Sequence, residues 1–180
     1  MKTCIALTFV GILTCAYAKH VTSGNCEEPN EDKMKNFDHT KLFKGTWYVS
    51  HVKKVPSPNV CHNFTVNQKD GKYIFGLGKE GNVNKVDCTA KKKETNLKKL
   101  TFNCISDNNV AFQSVYIVLG TDYDDYAVFY NCATLFGRKA DNYVVIRRES
   151  GNEEIPEEAK GLTDNLNLNK CSEIKKRKAV

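Results

Sequence analysis

The amino-acid sequence predicts an all-β protein, an eight-stranded antiparallel up-and-down barrel with one C-terminal helix outside it. Three observations carry that prediction. Short runs rich in Val, Ile, Tyr and Phe recur between turn signals at roughly ten-residue spacing. A sheet of that many short strands has two exposed edges unless it closes, and closure removes both. The only Trp, Trp47, follows Gly45-Thr46 at the head of the first run, and Arg148 ends the last one. Glycine lets the backbone bend tightly there, so Trp47 sits where a barrel floor closes and Arg148 can lie flat on its indole face.

The elements follow in order. Residues 1–18 form a secretory leader: Lys2 supplies the positive start, Cys4 to Cys15 a short apolar core, and Ala16-Tyr17-Ala18 a small-x-small cleavage site. That core is too short to span a bilayer. A single domain of 162 residues, 19–180, remains, expected outside the cell. Lys19 to Leu42 is a polar lead-in pinned by Cys26, with Phe37 and Phe43 tucked under the barrel. Strands are expected at Thr46–Val52, Cys61–Gln68, Lys72–Leu77, Val83–Lys91, Lys99–Ser106, Ala111–Gly120, Tyr126–Leu135 and Asn142–Arg148. Asp70-Gly71 suits a tight hairpin; Glu80-Gly81-Asn82 and Asp107-Asn108-Asn109 mark further turns. Asn152 to Asn169 carries helix signals, with Pro156 near the start, Glu157 and Glu158 in the first turn, and Ala159, Leu162 and Leu166 at helical spacing. No repeat, linker or second domain is visible.

Alternation along a strand assigns the lining, because successive side chains point to opposite faces. Trp47 inward puts Val49 and His51 inward. Arg148 inward does the same for Ile146 and Val144. An outward Cys132 turns Ala127, Phe129, Asn131 and Ala133 in, and an outward Cys61 turns His62, Phe64 and Val66 in. On the sixth strand Val115, Ile117 and Leu119 form an apolar face, with Gln113 on the same side. The expected interior is apolar and aromatic, dotted with His51, His62, Gln113 and Asn131. Such a cup is the usual small-molecule site, and an eight-stranded barrel holds one small ligand. The sequon Asn63-Phe64-Thr65 shares the outward face of Cys61, so Asn63 is a possible glycosylation site.

Composition narrows the chemistry. Of eight cysteines, Cys4 and Cys15 leave with the leader. Cys26, Cys61, Cys88, Cys104, Cys132 and Cys171 remain, an even number without a Cys-x-x-Cys pair. That pattern argues for three disulfides, and six cysteines allow fifteen connectivities. No His is spaced with Cys or Glu to suit a metal. Without Lys2 the chain has 26 Lys and Arg against 21 Asp and Glu, a net charge of +5. The excess is Lys-rich, falling at Lys53-Lys54, Lys91-Lys92-Lys93, Lys98-Lys99 and in the tail, and it suits the steering of an anionic ligand. No nucleic-acid-binding module, phosphate loop or nucleophile elbow is recognisable. The expectation is a binding protein and not an enzyme, monomeric, with no nucleic-acid or membrane partner.

Gly45/Trp47, Thr121-Asp122-Tyr123 and Arg148, in that order on a chain of short strands, resemble a lipocalin. Phe43-Lys44-Gly45-Thr46-Trp47-Tyr48-Val49-Ser50-His51, the cysteine order and the Lys- and Asn-rich mature composition take the likeness further, to the triabin-like salivary lipocalins of blood-feeding triatomine bugs, relatives of the nitrophorins. The resemblance covers essentially the whole mature chain. It implies pairing of Cys26 with Cys132, Cys61 with Cys171 and Cys88 with Cys104. It also implies secretion in saliva and impairment of host haemostasis, by trapping a small agonist in the barrel or by blocking a coagulation or contact-phase protein with the outer surface. Nitrophorins ligate haem iron through a histidine eight residues after the Gly-Lys of this turn; counting from Gly71-Lys72 gives Lys79, a poor iron ligand, so no cofactor is expected. Within this frame the favoured activity is inhibition of platelet aggregation by sequestration of an adenine nucleotide, ADP. The base would lie among Phe64, Phe75 and Phe129, near Ile146 and Gln113, with His51, His62 or Asn131 as hydrogen-bond partners. The phosphates would meet Lys53, Lys54, Lys79, Arg138 or Lys139 at the rim. A biogenic amine or an eicosanoid is the alternative ligand.

Overall fold

The computed structural model describes residues 26, 29, 34, 38–56, 58–77, 84–90, 99–107 and 109–178. The leader, Phe37, Lys79 and the Lys91-Lys92-Lys93 cluster lie outside them. Eight strands pair antiparallel in chain order: β1 (Gly45–Val52), β2 (Asn63–Lys69), β3 (Lys72–Leu77), β4 (Asn84–Ala90), β5 (Leu100–Ser106), β6 (Ala111–Thr121), β7 (Tyr126–Leu135) and β8 (Arg138–Arg147). Both β8 and β2 pair with β1, which closes the barrel.

Helix α1 (His39–Leu42) lies across the floor, and each part of the floor has a local cause. The Asp38 carboxylate caps α1 by accepting from the backbone N–H groups of Thr40 and Lys41. Trp47 Nε1 donates to Leu42 O at 2.8 Å, and Gln68 Nε2 donates to the carbonyls of Thr40 and Phe43. Arg148 lies 3.5 Å above the Trp47 ring. Its guanidinium also donates to the carbonyls of Lys44, Thr46 and Tyr123. Gly45 has φ +71°, and a Cβ there would press on Arg148 Nη1. In the Thr121-Asp122-Tyr123 turn, Asp122 Oδ1 accepts from three successive backbone N–H groups, Asp124, Asp125 and Tyr126.

No helix among the described residues crosses the opposite end, termed the open end, and it is less regular. β2 follows β1 only as far as Tyr48↔Asn63. The second half of β1 pairs on that side with β9 (Asn169–Lys170). A single 3-10 turn, Pro58–Cys61, and helix α3 (Cys171–Lys178) fill the resulting wedge, with Val60, Cys61, Cys171 and Ile174 buried. The disulfide Cys61–Cys171 staples it. The segment read as a tail is therefore structural. Cys26–Cys132 fastens the lead-in to β7, and Cys88–Cys104 joins directly opposed residues of β4 and β5.

Helix α2 (Glu157–Thr163) is shorter than the expected Asn152–Asn169 and packs outside β6 and β7. Its Leu162 sits where a Gly120 side chain would be. This explains the main correction to the sequence reading. Ile117 and Leu119 belong to the outer layer with Ala159, and Val115 packs against that layer. The barrel face of β6 is Phe112, Tyr116 and Val118, with Ser114 between them. Both faces of β6 are covered, so alternation of apolar residues does not distinguish them.

Candidate functional site

Two layers of side chains fill the barrel from the floor upward. In the lower layer the Phe43 ring stands edge-on to Tyr73, Phe75, Phe102 and Tyr116, at centroid separations of 5.1–6.2 Å. These rings and Trp47 close the lower half with apolar contact. The upper layer, toward the open end, is lined by Phe64, Leu77, Val86, Phe112 and Ala133.

Between the layers lies one polar cluster. Asn131 Nδ2 donates to Ser114 Oγ at 2.8 Å and to Val115 O at 3.1 Å. Tyr116 is the residue opposite Asn131 on the neighbouring strand. Burial pushes the Tyr116 phenol well above its ordinary range, partly offset by the Ser114 hydroxyl, so it stays protonated. Amide, hydroxyl and phenol offer directional hydrogen bonds and no charge. Asn142, next along the same row, is committed elsewhere: it accepts from the N–H groups of Lys53 and Lys54 and donates to Lys54 O. It pins the start of the loop at the mouth.

The remaining predicted site residues divide. Phe64, Phe75, Phe129, Asn131 and Ile146 face the interior. His62 is half-buried in the link before β2. His51 does not face in. A register shift between Val49 and His51 inserts Ser50 as an extra residue, so His51 pairs with the outward Val145 and Val52 takes the inward place. His51 lies buried beside β9, opposite Lys170, its Nδ1 3.1 Å from Ser50 Oγ. Burial lowers its pKa, partly offset by Glu153. Gln113 also faces out, donating to Asn103 Oδ1. Two of the lysines read as phosphate partners are turned away: Lys54 pairs with Asp141, and Lys53 Nζ lies 5.1 Å from the Tyr143 ring centroid on the outer face. Arg138 and Lys139 are exposed in β8 rather than in a loop. That strand begins early because Phe136-Gly137 closes the hairpin in two residues. Arg138 shares the register of the inward row Ala140, Asn142 and Val144, while Lys139 points outward.

Among the described residues no group of three or more His, Cys, Asp or Glu is placed to hold a metal ion. The described residues form a receptacle: an aromatic floor, a neutral polar shelf, an apolar upper wall and, at the lip, Arg138 in the inward register.

Comparison with known proteins assigns the lineage. The family model described as Triabin matches residues 18–160. This chain belongs to the triabin family. Procalin of Hospesneotomae protracta is 33% identical over 95% of this chain and 99% of its own length. Triabin of Meccus pallidipennis is 35% identical over 82% of this chain and 92% of its own. Platelet inhibitor triplatin-2 of Triatoma infestans is 31% identical over 74% of this chain and 76% of its own. Among solved structures, a leukotriene C4 complex superposes with a TM-score of 0.61 at 28% identity, covering 77% of this chain and 88% of that one.

For this triabin-family chain, residue pattern missed Ser114, Tyr116 and Asn142, while Phe43 was placed under the barrel and forms its lowest ring. The predicted outer helix held the missing signal for two of those missed. A helix with Ala159 and Leu162 on one side must cover some strand's outer face, and the Val115-Ile117-Leu119 stripe is what it covers, leaving Ser114 and Tyr116 to the interior.

Proposed function

We propose that this chain is a secreted anti-haemostatic binding protein that removes a small amphipathic lipid mediator of the eicosanoid class from host plasma by burying it in the open half of the barrel. The observation that carries the reading is the chemistry of the lining. An apolar and aromatic wall surrounds a neutral Ser114–Tyr116–Asn131 shelf, and Arg138, a cation at the lip, shares the inward register. A hydrocarbon chain gains from the wall about 25 cal/mol per Å² buried, a hydroxyl meets the shelf, and a carboxylate meets the guanidinium. The solved relative crystallised with leukotriene C4 supports this ligand class.

ADP is the second reading, favoured by the platelet-inhibitor relative. It requires clustered cations facing the ligand, whereas Lys53 and Lys54 are held on the outer face. Calorimetry of the mature protein with leukotriene C4, a thromboxane analogue, ADP and serotonin separates the readings. The expected result is submicromolar binding of a lipid, roughly −8.2 kcal/mol or better, with no heat from ADP at tens of micromolar. Tight ADP binding without lipid binding overturns the lipid assignment.

A further inference from the structure

The turn joining β7 to β8 is built against local stability. Its two residues, Phe136 and Gly137, both have positive φ, 48° and 72°. Such a turn favours Asn-Gly, and a bulky aromatic in the left-handed region is a strained choice. The Phe136 side chain gains nothing in return within the fold, since it is 76% exposed, the most exposed of the large apolar residues described. It stands at the tip of a hairpin that outruns β1, which stops opposite Val144, while β6 begins level with the tip at Ala111.

An independent observation concerns charge. Exposed cations gather at this open end: Lys53, Lys85, Arg138, Lys139 and Lys170, with Arg138 and Lys139 directly following the tip. Asp107 and Asp141 are the carboxylates beside them, whereas the floor end is mixed, with Asp122, Asp124, Asp125 and Glu149 alongside Lys41, Lys44, Lys69 and Lys72.

We propose that the β7–β8 hairpin docks the protein peripherally on an anionic phospholipid surface, Phe136 inserting at the headgroup boundary while Arg138, Lys139 and neighbouring lysines meet the lipid charges. A membrane fits these observations better than a protein partner. A stable protein interface needs roughly 800 Å² per side with a buried apolar centre, and the other exposed large apolar residues described are Val55, in the loop after β1, and Ile105, on β5. A bilayer needs one inserted aromatic together with several cations, each worth about 1 kcal/mol near an anionic surface. This inference is independent of which ligand the barrel holds.

The test is cosedimentation of the mature chain with vesicles of phosphatidylcholine alone and of phosphatidylcholine with phosphatidylserine. Binding is expected only to the anionic vesicles and should fall as salt rises. Phe136→Asn installs the preferred turn residue, so the thermal midpoint should hold or rise while vesicle affinity drops about tenfold. Lys139→Gln should weaken binding about fivefold. Calorimetric binding of the barrel ligand should be unchanged in Phe136→Asn, which separates failure here from failure of the lipid-mediator reading. No sedimentation with anionic vesicles at low salt, or sedimentation that Phe136→Asn leaves intact, overturns the proposal. So does a loss of activity in plasma on Phe136→Asn without any vesicle binding, which places a protein partner at the tip.

Discussion

At the scale of single residues, Arg148 shows how a side chain on the last strand can hold the floor closed. Its planar fork reaches carbonyls on two separate segments while its face covers Trp47. Lysine keeps the charge but has neither the fork nor the flat face. Arg148→Ala should therefore cost about 3 kcal/mol, and Arg148→Lys about half of that, read as a fall in the urea midpoint at constant slope. His51 makes a second residue-scale prediction. Its folded pKa lies below its unfolded value, because burial disfavours the imidazolium. The unfolded state then binds more protons in mild acid, so stability is complete above the unfolded value, about 6.5, and declines as pH falls below it. A melting series from pH 7.5 to pH 5 should show that decline in the native protein and a shallower one in His51→Gln. Equal slopes would mean that another group carries the acid sensitivity.

At the scale of elements, the wedge beside β1 is the part most dependent on a covalent tie. α3 covers the open seam with Ile174 buried, and the Glu153 carboxylate accepts from the N–H and the hydroxyl of Ser172 in its first turn. Cys61–Cys171 closes a loop of sequence separation 110. Replacing both cysteines with serine should cost roughly 2–5 kcal/mol, with amide exchange accelerating first in α3 and β9. Uniform acceleration across the barrel would count against a local wedge. Legibility in the sequence follows the same division. Trp47, Arg148, Thr121-Asp122-Tyr123 and the bounds of β3 and β7 were readable, because each is fixed by local chemistry: a glycine bend, an Asx turn, a period-two run. β9 and α3 were not, since Asn169–Lys170 becomes a strand only where β1 and β2 part. His51 was placed on the wrong face for a related reason. A bulge at Ser50 is set by pairing with β8, and one inserted residue inverts everything after it. Gln113 and Ser114 exchanged faces because α2 covers the outside of β6.

At the scale of the whole molecule, the chain carries a net charge of +6. At the open end the exposed cations Lys53, Lys85, Arg138, Lys139 and Lys170 outnumber the carboxylates Asp107 and Asp141, so the field there favours an approaching anion. Steering and holding are then separable. Lys85 and Lys139 are exposed on the rim and point away from the interior, so they act on a ligand only through the field. Lys85→Gln with Lys139→Gln should slow association of an anionic lipid about two- to threefold at low ionic strength, leaving dissociation and the thermal midpoint unchanged. At physiological salt, screening over about 8 Å should remove most of that difference. Asn131→Leu should behave in the opposite way. It deletes the amide that bonds Ser114 and shares the shelf with Tyr116, so dissociation should accelerate about tenfold while association stays as it was. Stopped-flow traces for the two variants, each at low and high salt, distinguish the outcomes. If the rim variant changed dissociation, its lysines would be touching the ligand, and the binding site would extend beyond the barrel onto the outer rim.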